Sequence, residues 1–170
     1  MIFTVQRGSH YCSPRKIRTY NGKNAMHGRF MLHENMWYDT SKVGTHINKL
    51  VGFSTDLFSD GSIRLGWRPN LEPGIIDIYA YLHINGKWVR SGRLKDDLLQ
   101  LCYANVWYDF GILPDIREED DLCRLIVGGG IVERHYPMSL GTGWFQQFYF
   151  GGTPTAPWLM SCDIDLEGIV

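Results

Sequence analysis

Two short runs in the middle of the chain carry polar side chains at every second position. Ser62–Arg68 offers Arg64 and Arg68; Ile76–Asn85 offers Asp77, Tyr79, Tyr81, His83 and Asn85. Guanidinium forks take carboxylate or sulfate oxygens two at a time, and phenol rings stack on flat apolar faces such as those of a sugar ring. If the two runs pair, Arg64, Arg68, Tyr79, Tyr81 and His83 share one sheet face and form a candidate ligand-binding set. The plainer alternative is a solvated or protein-contacting face, on which cross-strand pairs contribute only ~0.2–1 kcal/mol each.

Other chemistries find less support. The six histidines (His10, His27, His33, His46, His83, His135) show no HxH or HExxH spacing. His27 and His33 would share a strand face but lie about 20 Å apart. No metal site and no cofactor are expected. Cys12 and His10 form a local pair without a third group to orient them, and no GxSxG elbow is present. Asp77, Asp109 and Glu133 fall on strand-like runs, but a glycosidase needs two carboxyls converging to roughly 5–10 Å, which spacing alone does not provide. Gly128-Gly129-Gly130 lacks the Lys-Ser/Thr of a phosphate loop and reads as a turn. The four cysteines (Cys12, Cys102, Cys123, Cys162) are scattered, with no CxxC, and read as reduced structural thiols.

The elements that must hold the candidate set are strands. Ile63, Leu65 and Trp67 alternate with Arg64, Gly66 and Arg68; Ile76, Ile78, Ala80, Leu82 and Ile84 alternate with the polar residues of the second run. Strict period-two alternation marks half-buried antiparallel strands, and Asn85-Gly86 supplies a hairpin turn to Lys87–Ser91. Further strands are predicted at Met1–Gln6, Lys16–Tyr20 (ending on Asn21-Gly22), His27–His33, Ile47–Ser54, Leu98–Tyr103, Val106–Gly111, Ile131–Tyr136, Gly143–Phe150 and Leu159–Leu166. One short helix is predicted near 115–126, with acids early and Leu122, Leu125 and Ile126 at helical spacing. The aromatic run Gly141–Trp158 is expected to carry a core strand into a wide bend between sheets.

Aromatic residues make up 14% of the 170 residues, beside 19 Gly and seven Pro, and long helical periodicity is absent. The chain is therefore expected to be all-β: one domain, 1–170, folded as an antiparallel two-sheet sandwich of jelly-roll, concanavalin-like type, with a closed barrel as the alternative. Seventeen Lys and Arg against eighteen Asp and Glu give a net charge of −1, which argues against a nucleic-acid partner. No apolar run approaches the ~20 residues of a membrane span. Met1–Val5 leads straight into Gln6 and Arg7 with no apolar signal core, so the chain is expected to be made in the cytoplasm without a signal peptide.

Phe148-Tyr-Phe-Gly-Gly-Thr-Pro-Thr-Ala-Pro-Trp158, taken with Asn48–Phe53, Ser62–Arg68 and Ile76–Gly86, resembles small uncharacterised β-rich proteins of anaerobic gut bacteria and their tailed phages, over about residues 45–165. That resemblance implies no reaction. With the Tyr- and Trp-rich composition and the lack of a catalytic set, it implies a non-enzymatic structural or accessory protein of a phage particle (a capsid decoration, head-fibre or tail-associated subunit). Its partners would be copies of itself or other virion subunits. At fold level the chain also resembles concanavalin-type jelly rolls, among them carbohydrate-binding modules and alginate-lyase-like polysaccharide lyases. The first of these implies a glycan-binding module using the Arg/Tyr face. The second implies a lyase, but where the lyases carry Gln-x-His this chain has Gln147-Phe-Tyr149, and Arg64 and Arg68 match the basic strand only loosely.

Overall fold

Alternation decides the sheets. The computed structural model describes residues 1–15, 19–21, 25–54, 61–89, 93–117, 120–135, 142–146 and 148–169. Its strands are β1 (Ile2–Val5), β2 (Cys12–Ser13), β3 (Thr19–Asn21), β4 (Met26–Leu32), β5 (Asn48–Ser54), β6 (Ser62–Pro69) and β7 (Ile75–Ile84), then β8 (Lys87–Val89), β9 (Leu98–Tyr103), β10 (Trp107–Arg117), β11 (Asp120–Val127), β12 (Gly130–His135), β13 (Thr142–Gln146) and β14 (Met160–Ile169). A single α-helical turn, α1 (Thr40–Val43), is capped by the Asp39 carboxylate, which accepts from the Ser41 N–H. No helix among the described residues is long and apolar enough to cross a membrane.

The strands form two antiparallel sheets. The first runs β12-β11-β10-β4-β14-β1-β2; the second runs β3-β13-β5-β6-β7-β8, with β9 sharing the outer edge of β7. The all-β sandwich expected from alternation is what forms, and the two sheets remain separate rather than closing into a barrel. Phe30, Leu32, Phe110 and Ile164 from the first sheet meet Leu50, Phe53, Leu65, Trp67 and Ile78 from the second in one buried cluster. Each such side chain contributes about 1.5–3 kcal/mol by leaving water. Trp67 is fully buried and packs against Tyr38, Phe148 and Phe150 at ring separations of 6.1, 5.9 and 6.1 Å.

The helix expected near 115–126 does not exist. The described residues of that stretch, 115–117 and 120–126, belong to β10 and β11, which pair from Phe110↔Val127 to Arg117↔Asp120. Leu122, Leu125 and Ile126 fit a helical stripe, but Cys123, Leu125 and Val127 fit period two, and it is those three that are buried. The Gly128–Gly130 stretch therefore turns one strand into the next instead of ending a helix. Gly128 has φ of +55°, and a side chain at Gly130 would run into the Leu99 carbonyl. That close approach brings β9 of one sheet against β12 of the other. An ion pair ties the same edge: Arg134 Nη2 lies 2.7 Å from the buried Asp97 carboxylate, which ends the 3-10 turn Leu94–Asp97. The start of the predicted strand Lys16–Tyr20 (residues 16–18) and Gly22 of the turn that ends it lie outside the described residues, as do Ser91, Tyr136, Gly141 and Gln147.

Candidate functional site

The β6–β7 pairing places Arg64 opposite Tyr81 and Arg68 opposite Asp77, so the five expected site residues do share one face of the second sheet. The opposite face, Ile76, Ile78, Ala80 and Leu82, is buried in the main core as alternation requires. The outward face, however, is not open. Arg64, Tyr79 and Tyr81 are only 5%, 3% and 6% exposed. Ile47, Trp88, Leu94 and Leu98 pack over the two tyrosines in a second apolar cluster. Gly66 makes this possible, since a Cβ there would collide with Ile47 and press on Tyr81. The cover comes from the β5 approach and the 3-10 turn before β9, both remote from the hairpin in sequence, and from β8, which follows β7 directly through the Asn85-Gly86 turn.

This cover divides the expected set. At one end the polar groups satisfy one another. Asp77 accepts from Asn70 Nδ2 at 2.6 Å and from the Tyr79 hydroxyl at 2.8 Å, while Arg68 Nη2 donates to the Tyr79 oxygen at 2.9 Å and lies 3.5 Å from Asp77. Burial, then the Asp77 carboxylate, drives the Tyr79 pKa far up, so its hydroxyl stays a donor. Arg64 and Tyr79 are thus part of the wall rather than of any contact surface.

At the other end a cavity of about 350 Å³ opens, lined by His46, Lys49, Arg68, Tyr81, Trp88 and Leu94 among others. The Tyr81 ring lies 5.2 Å from Trp88 and 5.0 Å from His83, and its hydroxyl is 2.8 Å from His83 Nε2. The Lys49 ammonium sits 4.9 Å from the Tyr81 ring centre and 5.6 Å from that of Tyr149. Burial, then the charge of Arg64, pulls the Lys49 pKa down to about 8. Among the described residues no carboxylate pairs with it. Gly151 gives the amine its space, because a side chain there would strike Lys49 Nζ. The buried Asn48 fixes that loop: its Oδ1 accepts from the Gly151 N–H at 2.8 Å, and its Nδ2 donates to the Tyr38 hydroxyl at 2.9 Å.

Lys49, His46 and Trp88 were not singled out from the sequence. The one sequence signal is a lysine at the head of the apolar run Leu50-Val-Gly-Phe53, where an amine drawn into the strand must be covered or paired.

The remaining candidates do not assemble. Asp77 belongs to the second sheet, whereas Asp109 and Glu133 lie on the first, and Glu133 is taken by Arg124. Cys12 is buried, its thiol pushed up to about 11 mainly by desolvation, so it is no nucleophile at neutral pH. The other three thiols are buried and likewise raised, Cys102 to about 12. Among the described residues no three metal-ligating side chains come together.

One arrangement escaped the sequence reading. His33 Nδ1 lies 2.8 Å from Ser161 Oγ and His33 Nε2 lies 3.1 Å from Asp163 Oδ2. The line resembles a nucleophile, base and orienting acid, but Ser161 is nearly buried and Asn35 occupies it fully. Asn35 Nδ2 donates to Ser161 Oγ at 2.9 Å, and Asn35 Oδ1 accepts from the Ser161 N–H at 3.0 Å. No oxygen is left facing a substrate, and the group clasps the end of β4 to β14.

No family model matches the chain and no curated protein matches it, so the likeness to proteins of gut bacteria and their phages has no family behind it. Among solved structures, a double mutant of congerin II matches with a TM-score of 0.41 and 8% identity, over 95% of this chain and 98% of that one.

Proposed function

We propose that the protein is a carbohydrate-binding module that works without turnover and takes its ligand at the cleft between Trp88 and Lys49. The observation that carries this reading is the convergence of two rings and two cations, Tyr81, Trp88, Lys49 and Arg68, on one cavity. The half-buried Trp88 ring, backed by the buried Tyr81, suits the apolar face of a pyranose, and fixed donors at the rim suit its hydroxyls and acidic substituents. Arg68 is positioned for this by Tyr79 and Asp77 rather than free to swing. Titration calorimetry against a panel of oligosaccharides tests the proposal. Saturable binding, weakened at least about tenfold by Trp88→Ala with the circular dichroism unchanged, supports it. A panel in which no sugar binds saturably overturns it.

A particle-subunit role ranks second. It is favoured by exposed apolar side chains outside the cleft, Tyr103 and Ile131 at 60% and Trp107 at 41%. These lie on strands of both sheets, whereas the cleft gathers rings and cations around one cavity.

A further inference from the structure

The groups of the cleft continue past Lys49. Tyr149 bridges backbone to Lys49 on one side and to Tyr11 on the other, adding two more rows beside β5. The side chains follow the same line. The Tyr149 ring stacks on His10 at 5.7 Å and meets the edge of Tyr11 at 5.4 Å, and the Arg15 guanidinium lies 3.9 Å over the Tyr11 ring. His10 is itself held, its Nδ1 lying 2.8 Å from the Phe150 carbonyl. Tyr11 is 56% exposed. Trp88, Lys49, Tyr149, Tyr11 and Arg15, with Tyr81 buried behind Trp88, therefore form a row that runs across the strands. Five strand spacings from β8 to Tyr11 give it a length of roughly 24 Å.

We propose that this row is a track for a linear, negatively charged polysaccharide, a chain of uronic acid or sulfated sugars lying across the strands with several units in contact. The proposal rests on the carbohydrate reading above and names its ligand class. Three features support it. The row is several times longer than a single sugar. Its cations alternate with its rings, Lys49 standing between Tyr81 and Tyr149 and Arg15 lying on Tyr11. And Lys49, half-buried beside a second cation, has no carboxylate of its own paired to it among the described residues. A neutral glycan would bury that ammonium further without a counter-charge, which is unfavourable; a carboxylate or sulfate supplies the partner.

The test uses the full chain, titrated with oligogalacturonates of two and six units, a sulfated heparin hexasaccharide, and neutral cellohexaose. An acidic hexamer is expected to bind about tenfold or more tightly than either the dimer or cellohexaose. Tyr11→Ala, a surface change, is expected to weaken the hexamer about fivefold and leave the dimer unchanged. The better of the two acidic hexamers identifies carboxylate or sulfate as the recognised group. Cellohexaose binding as tightly as the acidic chains overturns the charge assignment while the carbohydrate reading stands. Equal binding of dimer and hexamer, with Tyr11→Ala silent, overturns the track. No binding of any of the four overturns both.

Discussion

On the outer face of the first sheet, charges are matched across the strands. Arg29 lies 3.2 Å from Asp165 and Arg124 pairs with Glu133. On the outer face of the second sheet, Lys49 stands beside Arg64 between the Tyr81 and Tyr149 rings with no carboxylate paired to it among the described residues, while Asp77 is already held by Asn70, Tyr79 and Arg68. Matched, solvated pairs contribute little and recognise little. Crowded, partly desolvated cations lower stability, and the depressed pKa of Lys49 records that cost. The contrast teaches where to look for function: at the face that keeps charge it does not need for folding.

Variants sharpen the contrast. The largest effect is expected where a buried charge is fully matched. Arg134→Ala removes the partner of Asp97 at the edge that joins the sheets, and should cost about 3 kcal/mol in urea unfolding. Trp88→Ala should leave the fold intact and cost roughly 2 kcal/mol in glycan binding by calorimetry. Lys49→Met should act in the opposite sense on stability. It removes a desolvated ammonium while keeping the apolar stem, and should raise unfolding stability at pH 7 by about 1 kcal/mol while weakening acidic glycans. Smallest of all, Arg29→Ala at the exposed pair with Asp165 should change stability by less than about 1 kcal/mol.

The pH dependence follows from Lys49, which faces Arg64 from β6, Tyr81 from β7, Tyr149 from the bridging segment and His46 across the cavity. Its folded pKa, about 8, lies below the ordinary 10.5, so between these values the unfolded chain holds more protons than the folded one. This residue's contribution to stability therefore rises with pH across that window. Affinity for an acidic glycan should move the other way, falling as pH climbs through 8 and the ammonium is lost. Both slopes should flatten in Lys49→Met.

Alternation made much of this legible. The β6–β7 pair follows from the period-two runs, and the buried side was named residue by residue. The polar face is not open, because Ile47, Leu94 and Leu98 cover it from segments whose own patterns say nothing about the hairpin, and Trp88 folds over it from the neighbouring β8. Around 115–126 the acids at the start of the segment imitate a helix N-terminus, and the competing period-two set Cys123, Leu125 and Val127 was overlooked. Of the expected binding residues, Arg68 and Tyr81 line the cavity and His83 supports Tyr81, while Arg64 and Tyr79 are buried beneath. Lys49 acquires its character from neighbours on two other segments, Arg64 on β6 and Tyr149 and Gly151 after β13, which no local window contains.

A single protein, Lys49→Met, tests the central claim most directly when its urea unfolding and its calorimetric titration with an acidic hexasaccharide are measured at pH 7. The account predicts a protein more stable than the parent that binds the hexasaccharide about tenfold less tightly. A variant that is no more stable and binds as tightly as the parent would contradict it.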